Sequence, residues 1–271
     1  VREPTADAWA LVARAHRLMG QFDEALEATR RGFHVSDTQH ERACVLLERA
    51  QIERGPLDTQ TDPAGDLRDA LAIFERSDPR RASETRLVLG EFHLAIGDFD
   101  AAYEQLHQAL HSAQRLTDRP AIARAQVDLG DLALRRDDPA RALELLTHAQ
   151  PIVREAGDRF EEARLLGIIG DAHRACRDLA AAEHSYKEAA SVYRSIGSPS
   201  LAAARVKLAM VRIQTGRYRA ARRELESVLP EVQRRDWQRL APSIHILLVP
   251  CAASSGEWDT LQCKTFYGQE K

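Results

Sequence analysis

The sequence predicts an all-α protein, built as a solenoid of about seven antiparallel helix hairpins. Two observations predict this fold. Related segments recur at steps of 39 or 40 residues between Gly97 and Gly256. Within each segment, apolar and small residues return every three or four positions, as they do along one face of an amphipathic helix. A hairpin with apolar surface on several sides must stack on neighbours, and repeating that requirement produces a solenoid.

The bend inside each repeat is predicted from a column of turn residues. This column contains Gly20, Gly55, Gly97, Asp137, Arg177, Gly216 and Gly256. Glycine suits the end of a helix because it adopts the left-handed conformation, and the neighbouring Asp98 or Asp138 can cap the next helix. Shortly after the bend comes a small residue: Ala25, Ala70, Ala102, Ala142, Ala182 and Ala221. Small residues let two helix axes approach to about 8–10 Å.

The first repeat contains the fullest version of a longer motif. Its residues are Trp9, Val12, Ala13, His16, Gly20, Phe22 and Ala25. In these places the chain resembles the tetratricopeptide repeat family, whose pattern is W-x2-L-G-x2-Y followed by G-x-Y-x2-A. The segment AGDRFEEARLLGIIGDAH resembles the 40-residue-repeat subgroup found in large bacterial multidomain regulators. The resemblance covers nearly the whole chain and implies a right-handed superhelix.

One domain is expected over residues 1–271. The approximate repeats are 6–38, 39–78, 79–117, 118–157, 158–197, 198–236 and an incomplete 237–271. Residues 55–65 are predicted to be a surface loop because they are rich in Pro, Asp, Thr and Gly. Pro250 lacks a backbone donor and is expected to kink or stop its helix near Val249. The short seventh repeat suggests a fragment of a longer chain.

Composition limits the classes of function. The 38 basic and 41 acidic residues nearly cancel, leaving a net charge of −3, so no direct binding to nucleic acid is expected. No apolar run approaches the roughly 18 residues that cross a bilayer, and a cytoplasmic protein is predicted. The four cysteines have no zinc-site spacing and are expected to be reduced, buried thiols.

Motifs for catalysis are missing from the sequence. It contains no phosphate-binding glycine loop, nucleophile elbow or H-E-x-x-H helix, so neither an enzyme nor a cofactor is predicted. His107 and His111 share one helix face, but no third ligand accompanies them and a metal site is not expected. The recurring His16, His93 and His173 are interpreted as residues that pack between helices.

The resemblance implies that the first helix of each hairpin lines a concave groove. The groove candidates are charged residues of these helices: Arg14, Arg17, Arg49, Glu91, Arg124, Asp128, Asp131, Arg135, Arg164, Asp171, Arg174 and Lys207. Acids stand at 91, 131 and 171, where many family members hold the ligand backbone with Asn. The sequence therefore predicts a groove with a basic N-terminal end and with acids interleaved with arginines in its middle, which binds an extended or helical peptide through charge-assisted hydrogen bonds. Acids in the place of Asn would favour ligands that carry Arg, Lys or free amino groups. The alternative is that these charges form an ordinary solvated helix face.

Three functions remain open from the sequence. The first is a non-enzymatic scaffold that binds a protein or peptide in the groove, as the repeat region of a larger bacterial signalling regulator. The second is a ligand-sensing domain that binds a small molecule or a short signalling peptide. The third is a self-association module that uses the incomplete C-terminal repeat.

Overall fold

The computed structural model describes residues 4–19, 21–53, 62–234 and 240–253, which form thirteen α-helices and, in these ranges, no strand. The helices are α1 (Ala6–Leu18), α2 (Phe22–His34), α3 (Gln39–Glu53), α4 (Pro63–Ser77), α5 (Pro79–Ile96), α6 (Phe99–Arg115), α7 (Arg119–Arg135), α8 (Pro139–Ala156), α9 (Arg159–Ala175), α10 (Leu179–Ser195), α11 (Leu201–Gln214), α12 (Tyr218–Arg234) and α13 (Leu240–Ala253). None of these helices is both long enough and apolar enough to cross a bilayer.

Consecutive helices pack against each other as hairpins, which confirms the predicted all-α class. The pairs α1 with α2, α3 with α4, and α5 with α6 lie in a first compact unit, residues 1–132. The pairs α9 with α10 and α11 with α12 lie in a second unit, residues 133–271. The border falls inside α7.

The backbone conformation of the turns explains which residues occupy the turn column. Gly97 adopts a left-handed φ of 84° at the end of α5. Asp137 and Arg177 adopt the same conformation, with φ of 62° and 63°. The side chains of Asp98 and Asp138 then accept hydrogen bonds from backbone N–H groups in the first turn of α6 and α8, as predicted. The four described members of the column, which include Gly216 with a φ of 74°, therefore share a backbone conformation that glycine adopts without strain and other residues adopt at some cost. Gly20, Gly55 and Gly256 lie outside the described residues.

Small residues lie where neighbouring helices come closest. All six alanines that follow the bends are fully buried: Ala25, Ala70, Ala102, Ala142, Ala182 and Ala221. Two helix glycines are close contacts of the same kind. A Cβ at Gly90 would stand 2.6 Å from the Leu106 side chain, and one at Gly170 would stand 2.6 Å from the Tyr186 ring. Each glycine therefore makes room for a large side chain of the second helix.

Each unit has its own hydrophobic core between the helix layers. In the first unit, Leu47, Leu67 and Phe74 form part of a buried cluster on α3 and α4. In the second unit, Leu225 of α12 and Ile244 of α13 belong to a cluster with α11. These layers position the first helices side by side within each unit.

The structure corrects two expectations about the ends of helices. Helix α4 begins at Pro63, so the last residues of the predicted loop 55–65 are helical; residues 54–61 lie outside the described part. Helix α13 continues through Pro250 to Ala253, so the predicted stop near Val249 is wrong. Proline removes one backbone bond this close to the helix end, and the carbonyl it frees belongs to Ile246, an exposed residue.

The cysteine expectation holds for two of the four residues. Cys44 and Cys251 are buried free thiols, and burial raises the pKa of Cys44 to about 11. Cys176 is an exposed free thiol, which contradicts the expectation. Cys176 is the C-cap residue of α9, where the chain leaves the helix. Cys263 lies outside the described residues.

We predict that Gly170→Ala destabilises the protein by about 1–3 kcal/mol, since the new methyl group overlaps the buried ring of Tyr186. Gly167→Ala is a matched control three residues earlier in α9, where a Cβ meets no atom within 4 Å. Urea denaturation measures both free energies of unfolding. Equal stability of the two variants would contradict the close contact.

Candidate ligand-binding faces

In the first unit, Arg14 of α1 connects three successive first helices. Its Nε donates to Oε1 of Glu48 on α3 at 2.7 Å, and its terminal nitrogen donates to Oε1 of Glu84 on α5 at 3.1 Å. Arg17 lies one turn later, with a terminal nitrogen 3.7 Å from the other oxygen of Glu48. The two predicted arginines are thus brought together around one carboxylate.

Glu48 is almost completely enclosed, with 3% of its side chain exposed. Burial opposes the charged form of Arg14, but the hydrogen bond and charge of Glu48, with those of Glu84, outweigh it and raise the pKa of Arg14 above its ordinary value. Neither glutamate was predicted from the sequence. The sequence feature that could have identified these glutamates is an acidic residue on each of the two first helices that follow Arg14.

Arg49 does not join this row. Its guanidinium forms two hydrogen bonds with the carboxylate of Asp66 on α4, at 2.6 and 2.5 Å, and lies 4.8 Å over the ring of Phe33 on α2. Both partners belong to second helices. The repeat alignment assigned Arg49 to the row, but the preceding residue, Glu48, lies there instead. Successive side chains of a helix differ in direction by about 100°, so an alignment error of one residue selects a different face of the helix.

Glu91 and Arg124 form the next pair of the first unit. The Nε and one terminal nitrogen of Arg124 on α7 donate to Oε1 of Glu91 on α5, at 3.2 and 2.9 Å. Asp128 lies one turn further along α7 and is 1% exposed, whereas Asp131 is half-buried. Glu91 therefore does not present an unneutralised carboxylate to a ligand.

In the second unit, Asp171 of α9 is held from two sides. The hydroxyl of Tyr186 on α10 donates to one oxygen at 2.6 Å, and Nζ of Lys207 on α11 donates to the other at 2.5 Å. Burial, followed by the neighbouring negative charge of Asp171, raises the pKa of Tyr186 well above its ordinary value, so the phenol stays protonated. The acid thus links a first helix to both a second helix and the next first helix.

The second unit contains three other predicted residues. Arg164 of α9 makes two hydrogen bonds with Glu161 one turn earlier, at 2.9 and 2.6 Å. Arg174 is half-buried one turn after Asp171, and Arg135 is exposed at the end of α7. The structure therefore places Arg164, Asp171 and Arg174 along one face of α9, with Lys207 beside them.

A second charged cluster, missed in the sequence, centres on Glu183 of α10. Arg217 binds both of its carboxylate oxygens, Lys187 lies 3.0 Å away, and Arg212 lies 3.6 Å away. Arg212 also donates to Glu224 of α12 at 2.9 Å. The hydrogen bond from Arg217 does most to lower the pKa of Glu183 to about 2; burial opposes this shift and Lys187 supports it.

Four of the histidines considered from the sequence have the following surroundings in the structure. His107 and His111 are both exposed, and the ring of His107 stacks on Tyr103 at 5.6 Å. His16 contacts Gln21 at 2.7 Å, and His93 lies 3.6 Å from Asp98 near the end of α5. Among the described residues, no group of three potential ligands could hold a metal ion.

Within each unit, some of the predicted residues form rows of ion pairs between successive first helices: Arg14 and Arg17 with Glu48, Glu91 with Arg124, and Asp171 with Lys207. Each pair offers donors and acceptors in fixed positions and little net charge. Such rows are suited to directional hydrogen bonds with a polar ligand, because orientation is set before binding. Within the rows, Glu91 and Asp171 are each paired with a base on the next first helix.

We predict that Arg14→Met destabilises the protein by about 1–3 kcal/mol, because it leaves the buried carboxylate of Glu48 without its closest partner. The matched control is Arg30→Met, which removes an exposed ion pair to Glu27 and should cost at most about 0.5 kcal/mol. Chemical denaturation measures both values. A cost for Arg14→Met no larger than that of the control would contradict the assigned role.

The low pKa of Glu183 predicts a dependence of stability on pH. Since its folded pKa is about 2 and its ordinary value 4.5, its ion pairs contribute fully above pH 4.5 and their contribution is lost as the pH falls towards 2. Glu183→Gln should cost about 1–3 kcal/mol at pH 7. Urea denaturation from pH 7 to pH 3 should show the two stability curves converging. Parallel curves would contradict the assignment.

Comparison with known families identifies the repeat. Two family models, both described as tetratricopeptide repeat, match residues 81–155 and 180–241, which together make about half of the chain. No curated protein sequence matches the chain closely enough to count as a relative.

Solved structures share the fold at low sequence identity. A Rap protein complexed with competence and sporulation factor is 13% identical with a TM-score of 0.67, over 93% of this chain and 76% of that one. A Rap conjugation gene regulator in complex with a Phr peptide is 13% identical with a TM-score of 0.58, over 96% and 73%. A signal transduction ATPase from Pyrococcus horikoshii with a tetratricopeptide repeat sensor is 14% identical with a TM-score of 0.60, over 88% and 38%. The two model matches, the hairpins and these shared folds agree: the chain belongs to the tetratricopeptide repeat family.

Proposed function

We propose that the chain is a scaffold that binds an extended protein or peptide segment along its first helices, as part of a bacterial signalling regulator in the cytoplasm. The observation that supports this most directly is the row of ion pairs, such as Glu91 with Arg124 and Asp171 with Lys207. One similar structure is complexed with a competence and sporulation factor and another with a peptide. Both are similar to this chain in fold.

The ion pairs suit a peptide for a physical reason. A peptide backbone presents alternating donors and acceptors, and paired charges meet both kinds with charge-assisted hydrogen bonds. Because each charge is already partly neutralised, binding does not require burying an isolated ion. The half-exposed ends of Arg124 and Lys207, with 31% and 40% of their side chains exposed, remain accessible to such a ligand.

The test inverts one ion pair without removing it. A peptide is first selected on the wild-type protein from a displayed library, and its affinity is measured by calorimetry. In the variant Glu91→Arg with Arg124→Glu, the pair can re-form in the opposite sense, so the fold should be retained while the affinity falls at least about tenfold. The control exchanges an exposed pair on α8, Arg141→Glu with Glu144→Arg, and should bind as the wild type does.

Failure to select any peptide would contradict the proposed function. An inverted variant that keeps its helicity and its affinity would exclude this part of the row from binding. Circular dichroism distinguishes a lost ligand contact from a lost fold, because only the latter reduces the helical signal.

Self-association is a second candidate, supported by apolar residues that α13 exposes. Ile246 and Val249 are 69% and 45% exposed and lie on one face of the helix. Light scattering on the same preparation separates the candidates: a scaffold has the mass of one chain, and a self-association module has a multiple of it.

A further inference from the structure

A charged cluster lies on the side of α11 that faces away from Lys207, and the proposed function does not use it. Arg205 and Arg212 are two and five positions from Lys207, so the helix turns their side chains to the opposite side of α11. The guanidinium of Arg212 lies 3.6 Å from Glu183 of α10 and donates to Glu224 of α12 at 2.9 Å. The cluster is therefore held between two second helices.

Bases outnumber acids in this cluster. Its six members, which we call the Glu183 cluster, are Glu183, Lys187, Arg205, Arg212, Arg217 and Glu224. Each of the four bases is in ion-pair contact with one or both of the two acids. In the part of the chain that the structure describes, no other carboxylate lies within ion-pair distance of these bases. Two positive charges therefore remain in excess.

Two of the bases are largely enclosed and retain unused donors. The side chains of Arg205 and Arg212 are 21% and 17% exposed. Within the described residues, the guanidinium of Arg205 donates to Glu224 and Ser227, and that of Arg212 donates to Glu224 alone. A guanidinium carries five N–H donors, so both side chains can bind another acceptor. Enclosed charges are screened less than exposed ones, which strengthens their attraction for an anion.

The equivalent place in the first unit is neutral. Arg86 stands eleven positions before Gly97, as Arg205 stands eleven positions before Gly216. The guanidinium of Arg86 donates to Glu75 of α4 and, at 3.0 Å, to Gln108 of α6. One base there meets one acid and one uncharged amide. The repeat architecture therefore does not require the excess of positive charge found in the second unit.

Further arginines lie beside the cluster on α12. Arg219 and Arg223 are exposed and four positions apart, and Arg223 precedes Ser227 by one helical turn. Among the described residues, neither arginine has a carboxylate within ion-pair distance. The first turn of α12 contains no acid, so the positive end of its helix dipole adds to the same potential. An anion is therefore attracted before it reaches the cluster.

We propose that the Glu183 cluster binds a dianionic phosphate group, either free or carried by a phosphorylated side chain. A phosphate group carries a charge of about −1.5 to −2 at pH 7, which matches the excess of positive charge, whereas a carboxylate carries about half as much. Arginine nitrogens bind phosphate oxygens through charge-assisted hydrogen bonds. The site goes beyond the proposed function, because it lies on second helices and needs no ligand at the first-helix row.

The surroundings of the cluster favour a single phosphate group over a polyanion. The whole chain has a net charge of −3. Glu188 of α10 and Glu226 of α12 lie near the cluster in sequence, with 44% and 51% of their side chains exposed. A nucleic acid or an anionic bilayer would bring many negative charges close to these acids. One phosphate group needs only the excess charge of the cluster.

Phosphorus NMR tests the proposal with three probes at pH 8 and constant ionic strength. The probes are inorganic phosphate, N-acetylphosphoserine amide and dimethyl phosphate, and the chemical shift of each gives its affinity as protein is added. The first two are dianions and should bind. Dimethyl phosphate is a monoanion of similar shape and should bind at least about tenfold more weakly. Ionic strength is held constant because salt screens these interactions.

Three variants locate the site. Lys187→Gln removes a half-exposed base while Glu183 keeps Arg217, so the fold should be retained and the affinity for the dianions should fall at least about threefold. Glu224→Gln removes an acid and should raise the affinity at least about threefold, a gain that loss of folding cannot produce. The control Arg86→Gln removes the base at the equivalent place of the first unit and should leave the affinity unchanged. Circular dichroism checks the helical content of each variant.

Every outcome decides for or against the site. Binding of both dianions, or of only one, that responds to Lys187→Gln and Glu224→Gln supports the inference and identifies the source of the phosphate group. Equal affinity for dimethyl phosphate, no binding of either dianion, or affinities that these two variants leave unchanged would overturn it. None of these results bears on peptide binding at the first-helix row, which the inversion of Glu91 and Arg124 tests separately.

Discussion

The structure depends on the close contact between a small residue on one helix and a large residue on its partner. Gly170 gives the ring of Tyr186 its place between α9 and α10, and Gly90 does the same for Leu106 between α5 and α6. Dispersion forces fall steeply with distance, so a hairpin packed at this separation gains cohesion that a looser pair would lose. The fully buried alanines after each bend extend the same contact along the hairpins.

That contact also organises the polar face. Once Tyr186 is fixed against Gly170, its hydroxyl reaches Asp171, and Asp171 in turn meets Lys207 of the following first helix. The buried ring and the exposed ion pair are therefore parts of one arrangement, in which apolar packing within a hairpin sets the position of a charge between hairpins. In the first unit, Arg14 connects α1, α3 and α5 in a comparable way through Glu48 and Glu84. Binding at the first helices would use groups that the fold has already oriented, which reduces the entropy cost of ordering them.

The sequence placed some residues of the candidate faces on first helices and missed others, and the reasons differ by residue. The alignment selected Arg14, Glu91, Asp171 and Lys207, because the repeat period brings them to first helices. It selected Arg49, although Glu48 is the residue that faces the row. An alignment based on small residues can be wrong by one position, and one position along a helix changes the direction of the side chain by about 100°. The alignment described Glu91 and Asp171 as interleaved with arginines but did not pair them, because pairing with a base on the next repeat depends on side-chain reach across a helix interface and has no local sequence signal.

The sequence by itself determined the helices, the bends and the family, because these follow from local rules: a period of three or four residues, a residue that accepts a left-handed turn, and a carboxylate that caps the next helix. The tertiary structure alone decided which charges neutralise each other and where space is left open. Gly90, Gly167 and Gly170 are identical letters in similar helices, yet a large side chain lies against two of them and none against the third. That difference arises from the distance between neighbouring helices, which depends on all the side chains between them.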